Sequence, residues 1–372
     1  MQVLIFANHL LVGGAELLAL DLCRRLSSEG SHVVVAAAKR GGGLAADFAS
    51  AGAVVYDGLA PTRTSLLAPA RVARIIKRHD IRIFIVLDVI RTGMFALLGS
   101  MPAGRKMRRI LWAHTVPGLN EGPHDHRFIK LLRAAGLVDQ IVCVSNYLRD
   151  ELRGRGIGGH IATVHNGIDV GRFRQAPRGD LPQCEGKRVL VCVANFMPHK
   201  DHRTLLLAAG ELAKRRDDFA LVLAGRGTDS PELARLSADC GAAGVTHAVG
   251  TVASVAPLMK TADVFVLATL RETFGLAVVE AMAAGLPVVT TDAPAFKEIF
   301  THGKEGLKTP LGNSSALAAA IECVLDDQTT AASMAAQGIR RAELFSNQRM
   351  LDKWMRLLRY HQTDRLGSLA MM

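Results

Sequence analysis

The chain has 372 residues, of which 49% are hydrophobic and 21% are charged, a balance typical of globular proteins. At roughly 150 residues per domain, this length predicts two domains, and the composition excludes a disordered chain, a collagen and a disulfide-stabilised miniprotein. The net charge of +11 suits partners that carry phosphate, such as nucleotides, nucleic acids or anionic lipids.

The N-terminal segment MQVLIFANHL has no basic stretch before its apolar run and no small-residue cleavage pattern, so no signal peptide is predicted. No uncharged apolar run reaches the length of about 18 residues that a spanning helix needs. The six cysteines are scattered without a C-x-x-C pair, which favours reduced thiols. These features together predict a cytoplasmic protein.

Short apolar runs alternate with amphipathic segments along the first half of the chain. The runs that predict strands are Gln2–Ala7, His32–Ala38, Ala53–Asp57, Arg82–Leu87, Arg109–Ala113 and Gln140–Ser145. The segments that predict helices are Gly14–Ser28, Leu66–His79, Arg91–Gly99 and Phe128–Ala135. Continuously apolar strands separated by helices predict a parallel sheet that is covered on both faces.

A polar segment with two prolines, Gly171–Arg188, lacks periodicity and is predicted to connect two domains. The alternation then restarts, with strands predicted at Val189–Ala194, Phe219–Ala224, Val245–Val249, Ala262–Ala268 and Pro287–Thr291, and a helical end at Ser314–Tyr360. We therefore predict an α/β fold of two facing, Rossmann-like, doubly wound domains with a ligand-binding cleft between them. The predicted boundaries are 1–180 and 187–345, and residues 346–372 form a helical tail that packs back on the first domain.

The segment ADVFVLATLRETFGLAVVEAMAAGLPVVTT, residues 262–291, carries the most chemistry. A buried strand leads into a polar turn and then into a helix at Phe274–Ala284, for which Thr273 is the predicted N-cap. The backbone amides of Phe274, Gly275 and Leu276 would then be free to bind an anion at the helix start. Two carboxylates, Glu272 and Glu280, frame this helix start, and ribose hydroxyls would satisfy a carboxylate in such an apolar run.

The stretch ETFGLAVVEAMAAGLPVV resembles the E-x7-E signature of retaining glycosyltransferases with the GT-B fold, most closely glycosyltransferase family 4. Other segments resemble the same family in the same order along the chain. They are the glycine turn GGAE at 13–16, VSN at 144–146, NGID at 166–169, VANFMPHKDH at 193–202 and DAPAFKE at 292–298. The resemblance spans roughly residues 1–330.

The resemblance implies that the second domain binds a nucleoside-diphosphate sugar, a UDP- or GDP-sugar, as a co-substrate. Glu280 would hold the ribose, Glu272 would contact the sugar ring, and the amides at 274–276 together with Thr273 would bind the diphosphate. Lys200 would neutralise the diphosphate and stabilise it as it departs. Asn195 stands where the family usually has an arginine, and Arg226 and Arg271 are possible substitutes for the missing charge.

The first domain would bind the acceptor. The family resemblance places the backbone of Gly13 and Gly14 beside the donor phosphate or the acceptor hydroxyl. His114 follows the strand ILWA and precedes a loop rich in proline and glycine, which suits a polar contact with a sugar. Catalytic roles are thus predicted for Glu272, His114 and Lys200.

No metal site and no resident cofactor are predicted. His124, Asp125 and His126 have the spacing of metal ligands, but a third ligand is not evident and no D-x-D motif occurs. The resemblance implies a metal-independent, retaining transfer in which the departing diphosphate helps to deprotonate the acceptor. The enzyme would then act mainly by positioning its substrates and stabilising charge.

The predicted function is transfer of a sugar to a glycan or lipid-linked acceptor, in cell-surface polysaccharide or glycolipid synthesis. Two other functions on the same fold stay open, a sugar-nucleotide epimerase and a catalytically inactive nucleotide-sugar-binding module, the latter because of Asn195. A dehydrogenase is disfavoured because GRGTDS at 225–230 lacks the third glycine or alanine of a dinucleotide fingerprint. Nucleic acid is not a predicted partner, since three Tyr and two Trp offer few rings for base stacking.

The positive charge is concentrated in residues 1–186, which hold 24 of the 45 basic and 15 of the 34 acidic residues, a net +9. One basic cluster lies at helical spacing, and another crowds a short loop. Their members are Arg71, Arg74, Lys77 and Arg78, and Arg105, Lys106, Arg108 and Arg109. These clusters predict an enzyme that works at an anionic membrane surface, the inner face of the membrane, where each nearby cation adds about 1 kcal/mol.

Overall fold

The computed structural model describes residues 1–60, 67–88, 91–115 and 125–369, with the backbone alone for residues 91, 105, 125, 126 and 360–369. The chain divides into two units. The first comprises Met1–Gly167 together with Gln348–Met372, and the second comprises Ile168–Asn347. The chain thus passes from one unit to the other at Gly167, earlier than the predicted boundary at 180.

The first unit is built on a parallel seven-stranded sheet with the strand order β3-β2-β1-β4-β5-β6-β7. Its strands are β1 (Gln2–Ala7), β2 (His32–Ala37), β3 (Val54–Tyr56), β4 (Ile83–Leu87), β5 (Arg108–Ala113), β6 (Gln140–Cys143) and β7 (Ile161–Thr163). Its first six helices are α1 (Gly14–Ser28), α2 (Ala45–Ser50), α3 (Leu67–Arg78), α4 (Arg91–Gly99), α5 (Asp125–Ala134) and α6 (Asn146–Gly154). Strand β4 is buried along its whole length, as expected for a central strand covered on both faces.

The long C-terminal helix α15 (Asn347–Leu369) packs on the first unit. The ring of Trp354 lies 4.6 Å from that of Trp112 in β5, and both rings are fully buried. Arg359 forms an ion pair with Glu29, which follows α1. A buried tryptophan of this size contributes several kcal/mol to stability, since Trp→Ala typically costs about 3–5 kcal/mol.

The second unit is built on a parallel six-stranded sheet with the order β10-β9-β8-β11-β12-β13. Its strands are β8 (Arg188–Val193), β9 (Phe219–Ala224), β10 (Thr246–Gly250), β11 (Val264–Leu267), β12 (Val288–Thr291) and β13 (Gly306–Thr309). Its helices are α7 (Val170–Arg174), α8 (His202–Ala213), α9 (Pro231–Asp239), α10 (Ala256–Thr261), α11 (Leu276–Ala284), α12 (Phe296–Ile299), α13 (Ser314–Asp326) and α14 (Gln328–Ala342).

Both sheets reverse their strand order next to the strand that opens the unit, β1 in the first and β8 in the second. In parallel α/β sheets this reversal leaves a crevice at the carboxyl ends of the central strands, where ligands bind. The two predicted Rossmann-like sheets are therefore confirmed. We expect ligand-binding residues in the loops that follow β1, β4 and β5 in the first unit and β8, β9 and β11 in the second.

One prediction about the elements was wrong, and two strands were missed. The segment 171–188 is not wholly irregular, because it contains most of α7, whose Val170 and Phe173 are buried. The edge strands β7 and β13 were not predicted. The prediction of a helical end over 314–360 is confirmed, and α13, α14 and α15 form it. Within the described residues, no helix has both the length and the apolar character required to cross a membrane.

Candidate functional site

In the second unit, the loops after β8 and β11 bring Lys200 and Glu272 together. The two strands are neighbours in the sheet, with Val191 paired to Phe265. Lys200 ends a short 3-10 turn, and its Nζ donates a hydrogen bond to a carboxylate oxygen of Glu272. Their side chains are only 21% and 10% exposed, so this ion pair is weakly screened by water.

Backbone and hydroxyl hydrogen bonds hold these two loops against each other. The carbonyl of His199 accepts from the Leu270 amide at 2.8 Å and from the Thr269 hydroxyl at 2.9 Å. The hydroxyl of Thr291, at the end of β12, accepts from the Thr269 amide at 2.9 Å and lies 2.7 Å from its carbonyl. Because His199 precedes Lys200 directly, these contacts fix the lysine beside the β11 loop.

Helix α11 begins at Leu276, two residues later than predicted, and Gly275 rather than Thr273 is its N-cap. The predicted capping role of Thr273 was therefore wrong. Gly275 has a φ of +102°, and a Cβ at this position would lie 2.5 Å from the ring of Phe296. Both observations require glycine, because a left-handed backbone and a close approach exclude a side chain.

The start of α11 can bind an anion through its backbone. The amides of Gly275, Leu276 and Ala277 have no hydrogen-bond partner within the described ranges, as expected for the first turn of a helix. The side chain of Phe274 is buried, and its ring packs edge-on at 5.5 Å from that of Phe345. The buried ring of Phe274 therefore fixes the turn that precedes α11. The amides of residues 275–277 lie at the N-terminal end of the helix, where its dipole is positive.

Glu280 lies farther along α11 in a half-buried position. Burial raises the pKa of Glu280 to about 7, an effect that the charge of Arg172 partly offsets. No described residue donates a hydrogen bond to its carboxylate. A buried carboxylate without a donor is costly, so hydroxyl groups of a ligand would stabilise it.

Asn195 and Arg226 join the loops that follow β8 and β9. The side-chain carbonyl of Asn195 accepts a hydrogen bond from the Arg226 amide at 3.0 Å. The side chains of both residues are exposed, as is that of Arg271. The structure thus shows a loop contact made by Asn195, in addition to the donor-side position that the sequence predicts for it.

In the first unit, Gly13 is the N-cap of α1, and Gly14 is the first residue of the helix. The carboxylate of Glu16 folds back over this helix start, within 2.5 Å of where a Cβ on Gly13 would lie. The same carboxylate pairs with His9 Nδ1 at 3.3 Å. In this structure a carboxylate of the protein itself therefore occupies the anion-favouring start of α1.

His114 follows β5 and donates its backbone amide to Asp88 Oδ1 at 2.7 Å. Its ring lies 4.8 Å from that of Trp112, and its buried Nε2 has no partner among the described residues. Burial lowers the pKa of His114 to about 3, so the imidazole is neutral near pH 7. A neutral imidazole can accept or donate a single hydrogen bond to a substrate hydroxyl.

Sequence reasoning missed Asp88 and Arg172. Asp88 directly follows the buried strand β4, has a φ of +52°, and has a pKa that burial raises to about 6. Its position, as a polar residue directly after a predicted buried strand, is a sequence signal that could have identified it. Arg172 was assigned to a connecting segment, and its helix is too short to show periodicity.

The second predicted basic cluster does not lie on the surface as a whole. Arg109 is 4% exposed, and its guanidinium donates to the carbonyls of Ser100 and Gly104, each at 2.9 Å. Arg108 donates to the carbonyl of Leu357 at 3.1 Å and to Gln140. Arg109 is therefore a structural residue, and its membrane role is withdrawn. In α3, by contrast, Arg74, Lys77 and Arg78 are exposed.

Two sequence predictions concern residues that the structure describes in part or not at all. His124 lies outside the described residues, as do the side chains of Asp125, His126 and Arg105. Elsewhere in the described chain, no three His, Cys, Asp or Glu side chains gather as metal ligands would.

Comparison with known families accounts for both halves of the chain. The family model described as Glycosyltransferase Family 4 matches residues 12–172, and the model described as Glycosyl transferases group 1 matches residues 174–341. Together the two models extend over almost the whole chain, and they confirm the family that the motifs at 13–16, 166–169 and 272–289 indicate.

Several curated proteins resemble part of the chain. A phosphatidyl-myo-inositol mannosyltransferase of Mycolicibacterium smegmatis is 34% identical over 192 residues, which cover 51% of this chain and 49% of the relative. A GDP-mannose-dependent alpha-(1-6)-phosphatidylinositol monomannoside mannosyltransferase of Mycobacterium tuberculosis is 30% identical over 223 residues, covering 56% and 58%. The chain thus spans about half the length of these curated relatives.

Solved structures match the chain over nearly its full length. HepE of Anabaena, in complex with UDP, has a TM-score of 0.79 at 18% identity, covering 97% of this chain and 100% of its own. At this level of identity the likeness shows the fold alone. The family models and this fold agree, and the chain belongs to glycosyltransferase family 4 and has the GT-B fold.

Proposed function

We propose that this protein transfers a sugar from a nucleoside-diphosphate sugar to a hydroxyl group of a glycan or lipid-linked acceptor. The observation that carries the proposal is the Lys200–Glu272 ion pair beside the glycine start of α11. A cation, a carboxylate and unpaired amides lie together at the carboxyl ends of the strands. The cation and the amides suit the diphosphate of such a donor, and the carboxylate suits its sugar hydroxyls. Family membership supports the same chemistry.

Each of these groups has a role that its environment supports. The amides of Gly275 and Leu276 bind the diphosphate, and Lys200 neutralises it. Glu272, freed from Lys200 when the diphosphate binds, accepts hydrogen bonds from the sugar hydroxyls. Glu280, which lacks a donor among the described residues, accepts from the ribose hydroxyls.

The acceptor side of the proposal rests on the first unit. The unpartnered Nε2 of His114 and the backbone at Gly13 lie at the carboxyl-end loops of β5 and β1. His114 is neutral, so it suits a hydroxyl better than a phosphate. The carboxylate of Glu16 over the start of α1 likewise favours a neutral, hydroxyl-bearing group there.

The names of relatives support a UDP- or GDP-sugar as donor. One curated relative is GDP-mannose-dependent, and HepE was solved with UDP. Two relatives act on phosphatidylinositol lipids by name, which supports a lipid-linked acceptor and work at an anionic membrane surface in glycolipid or polysaccharide synthesis.

We propose that transfer proceeds with retention and without a metal ion. The departing diphosphate takes the proton of the attacking hydroxyl while Lys200 stabilises the charge that develops on it. The protein then contributes orientation and electrostatic stabilisation. A catalytically inactive binding module is the alternative that Asn195 favours, since its amide carries no charge.

A donor panel with a matched variant tests this proposal. The purified chain is incubated with UDP- and GDP-sugars and a phosphatidylinositol acceptor, with and without a chelator, and nucleoside diphosphate and glycolipid are measured. We expect product from one donor class, unaffected by the chelator. Glu272→Gln keeps the side-chain volume and should lower turnover about tenfold or more, with nucleoside-diphosphate affinity changed less. Nucleotide binding without product from any donor would contradict transfer and favour the binding module.

A further inference from the structure

The loops after β8 and β9 are joined by a contact that fixes the backbone of Arg226 on both sides. Its amide donates to Asn195 Oδ1 at 3.0 Å, and its carbonyl accepts from the Phe196 amide at 2.9 Å. Gly225 permits this approach, because a Cβ there would lie 2.3 Å from the Ala194 carbonyl oxygen. The starting point of the Arg226 side chain is therefore well defined.

The guanidinium of Arg226 is exposed and has no hydrogen bond or ion pair within the described residues. Some other arginines of the second unit are paired with acids. Arg216 binds Asp218 and Asp326 at 2.7 and 2.9 Å, and Arg188 lies 3.2 Å from Asp263. The charge of Arg226 is thus unpaired, and it lies among the loops at the carboxyl ends of the strands, where ligands of this fold bind.

Lys200 alone does not supply the charge that a diphosphate needs. Its ammonium group is already paired with Glu272, so the pair adds no net charge to the site. Strands β8 and β9 are adjacent, with Val193 paired to Ala224, and neighbouring strands lie about 4.8 Å apart. The loop that carries Arg226 therefore emerges beside the loop that carries Lys200.

We infer that Arg226 is a second diphosphate-binding residue and that Asn195 is its positioning residue. This inference rests on the proposed function. The side chain at position 195 supplies no charge itself and instead holds the backbone of the residue that does. A guanidinium also binds phosphate oxygens in a bidentate manner, which a lysine does not.

Calorimetric titration with UDP and GDP, and with UMP and GMP, tests the role of Arg226. Arg226→Ala should weaken diphosphate binding by a factor of about 10 or more, as for a lost charged hydrogen bond, and monophosphate binding by less. Arg226→Lys should recover part of the loss. Arg340→Ala is the matched control, since Arg340 is another exposed arginine of the second unit but lies in α14, outside the proposed site, and this change should leave affinity nearly unchanged.

Two further variants test the positioning role of Asn195. Asn195→Ala should weaken diphosphate binding in the wild-type background but have no further effect in Arg226→Ala, a coupling that a merely structural role would not produce. Asn195→Arg should restore diphosphate affinity to Arg226→Ala by returning a cation to the edge.

The outcomes separate this inference from the function on which it rests. Wild-type binding of UDP or GDP that Arg226→Ala leaves unchanged would overturn the inference alone. A loss in Arg340→Ala equal to that in Arg226→Ala would overturn it as well. Failure of the wild-type protein to bind any of these nucleotides would overturn the proposed function and this inference together.

Discussion

Glu280 combines a half-buried position with a carboxylate to which no described residue donates a hydrogen bond. Its pKa is raised to about 7 by burial, so both the protonated and the ionised forms are populated in the free protein near neutral pH. Ribose hydroxyls donate to the ionised carboxylate, and nucleotide binding should therefore release a proton and strengthen as pH rises. The protonation of Glu280 is therefore coupled to nucleotide binding.

The pH dependence of Glu280 can be measured in two ways. Nucleoside-diphosphate affinity should increase from pH 6 to pH 8 in the wild type, through the pKa of about 7, and should lose this part of its pH dependence in Glu280→Gln. Because the folded-state pKa is raised above the ordinary value of 4.5, its contribution to the free energy of unfolding is present below pH 4.5 and is lost as pH rises through 7. Calorimetry and urea denaturation follow the two effects. An identical pH profile in Glu280→Gln would contradict the assignment.

Arg109 shows which residue roles cannot be read from sequence. Four basic residues within five positions predict an exposed charged loop, since arginine is rarely buried. In the structure the guanidinium of Arg109 is surrounded by backbone carbonyls of residues 100, 104 and 107. That arrangement depends on the path of the chain between α4 and β5, which no local pattern encodes.

Helix α11 depends on a glycine at its N-cap. The motif ETFGLAVVE predicted a helix start with two framing carboxylates, and the structure has that arrangement. The exact N-cap was not predictable, because Thr273 is a good capping residue in general. The cap is instead Gly275, which has a left-handed backbone and has the ring of Phe296, a residue 21 positions later, where a Cβ would lie.

Gly275→Ala should destabilise the second unit and weaken nucleotide binding. The left-handed backbone costs about 1–3 kcal/mol for a residue with a side chain, and a Cβ would lie 2.5 Å from the Phe296 ring. Gly312→Ala is the matched control, since Gly312 has a φ of +70° but no atom within 4 Å of its Cβ position. Thermal unfolding should show a larger loss for Gly275→Ala. Equal losses in the two variants would contradict the steric part of this explanation.

Helix α3 presents the exposed basic face of the first unit. Val72 and Ile75 are buried while Arg74, Lys77 and Arg78 are exposed, as the helical spacing predicted. Other elements escaped prediction for physical reasons. The edge strands β7 and β13 have only three and four residues, with half-buried positions that give no apolar run, and the five residues of α7 are too few to show periodicity.

Reversal of charge on α3 tests the proposed membrane surface. Arg74→Glu, Lys77→Glu and Arg78→Glu together should abolish sedimentation with anionic vesicles, and salt should have the same effect on the wild type because screening acts over about 10 Å at 0.1 M. Neutral vesicles are the control for electrostatic binding. Arg109 is left intact, since its reversal would disrupt the fold. Equal, negligible sedimentation of the wild type with both vesicle types would contradict a membrane role.

Both units have the same architecture, in which polar residues follow the carboxyl ends of buried parallel strands. Periodicity and composition predicted both sheets and most of their strands, because continuous apolar runs determine such strands. The pairing of Lys200 with Glu272 was not predictable, since these residues are far apart in sequence and meet only because β8 and β11 are neighbours. The family resemblance predicted a separate role for each residue. The structure adds that the charge of Lys200 is balanced by that of Glu272.

Thermal unfolding with added nucleotides tests most directly whether the second unit is a nucleoside-diphosphate site. A ligand at 100 times its dissociation constant stabilises the folded state by about 2.7 kcal/mol. We predict that UDP or GDP raises the unfolding temperature of the wild type, and that Lys200→Ala and Glu280→Ala, which remove the proposed diphosphate and ribose contacts, greatly reduce this shift. No shift with either nucleotide in the wild type, or a full shift in both variants, would contradict the account.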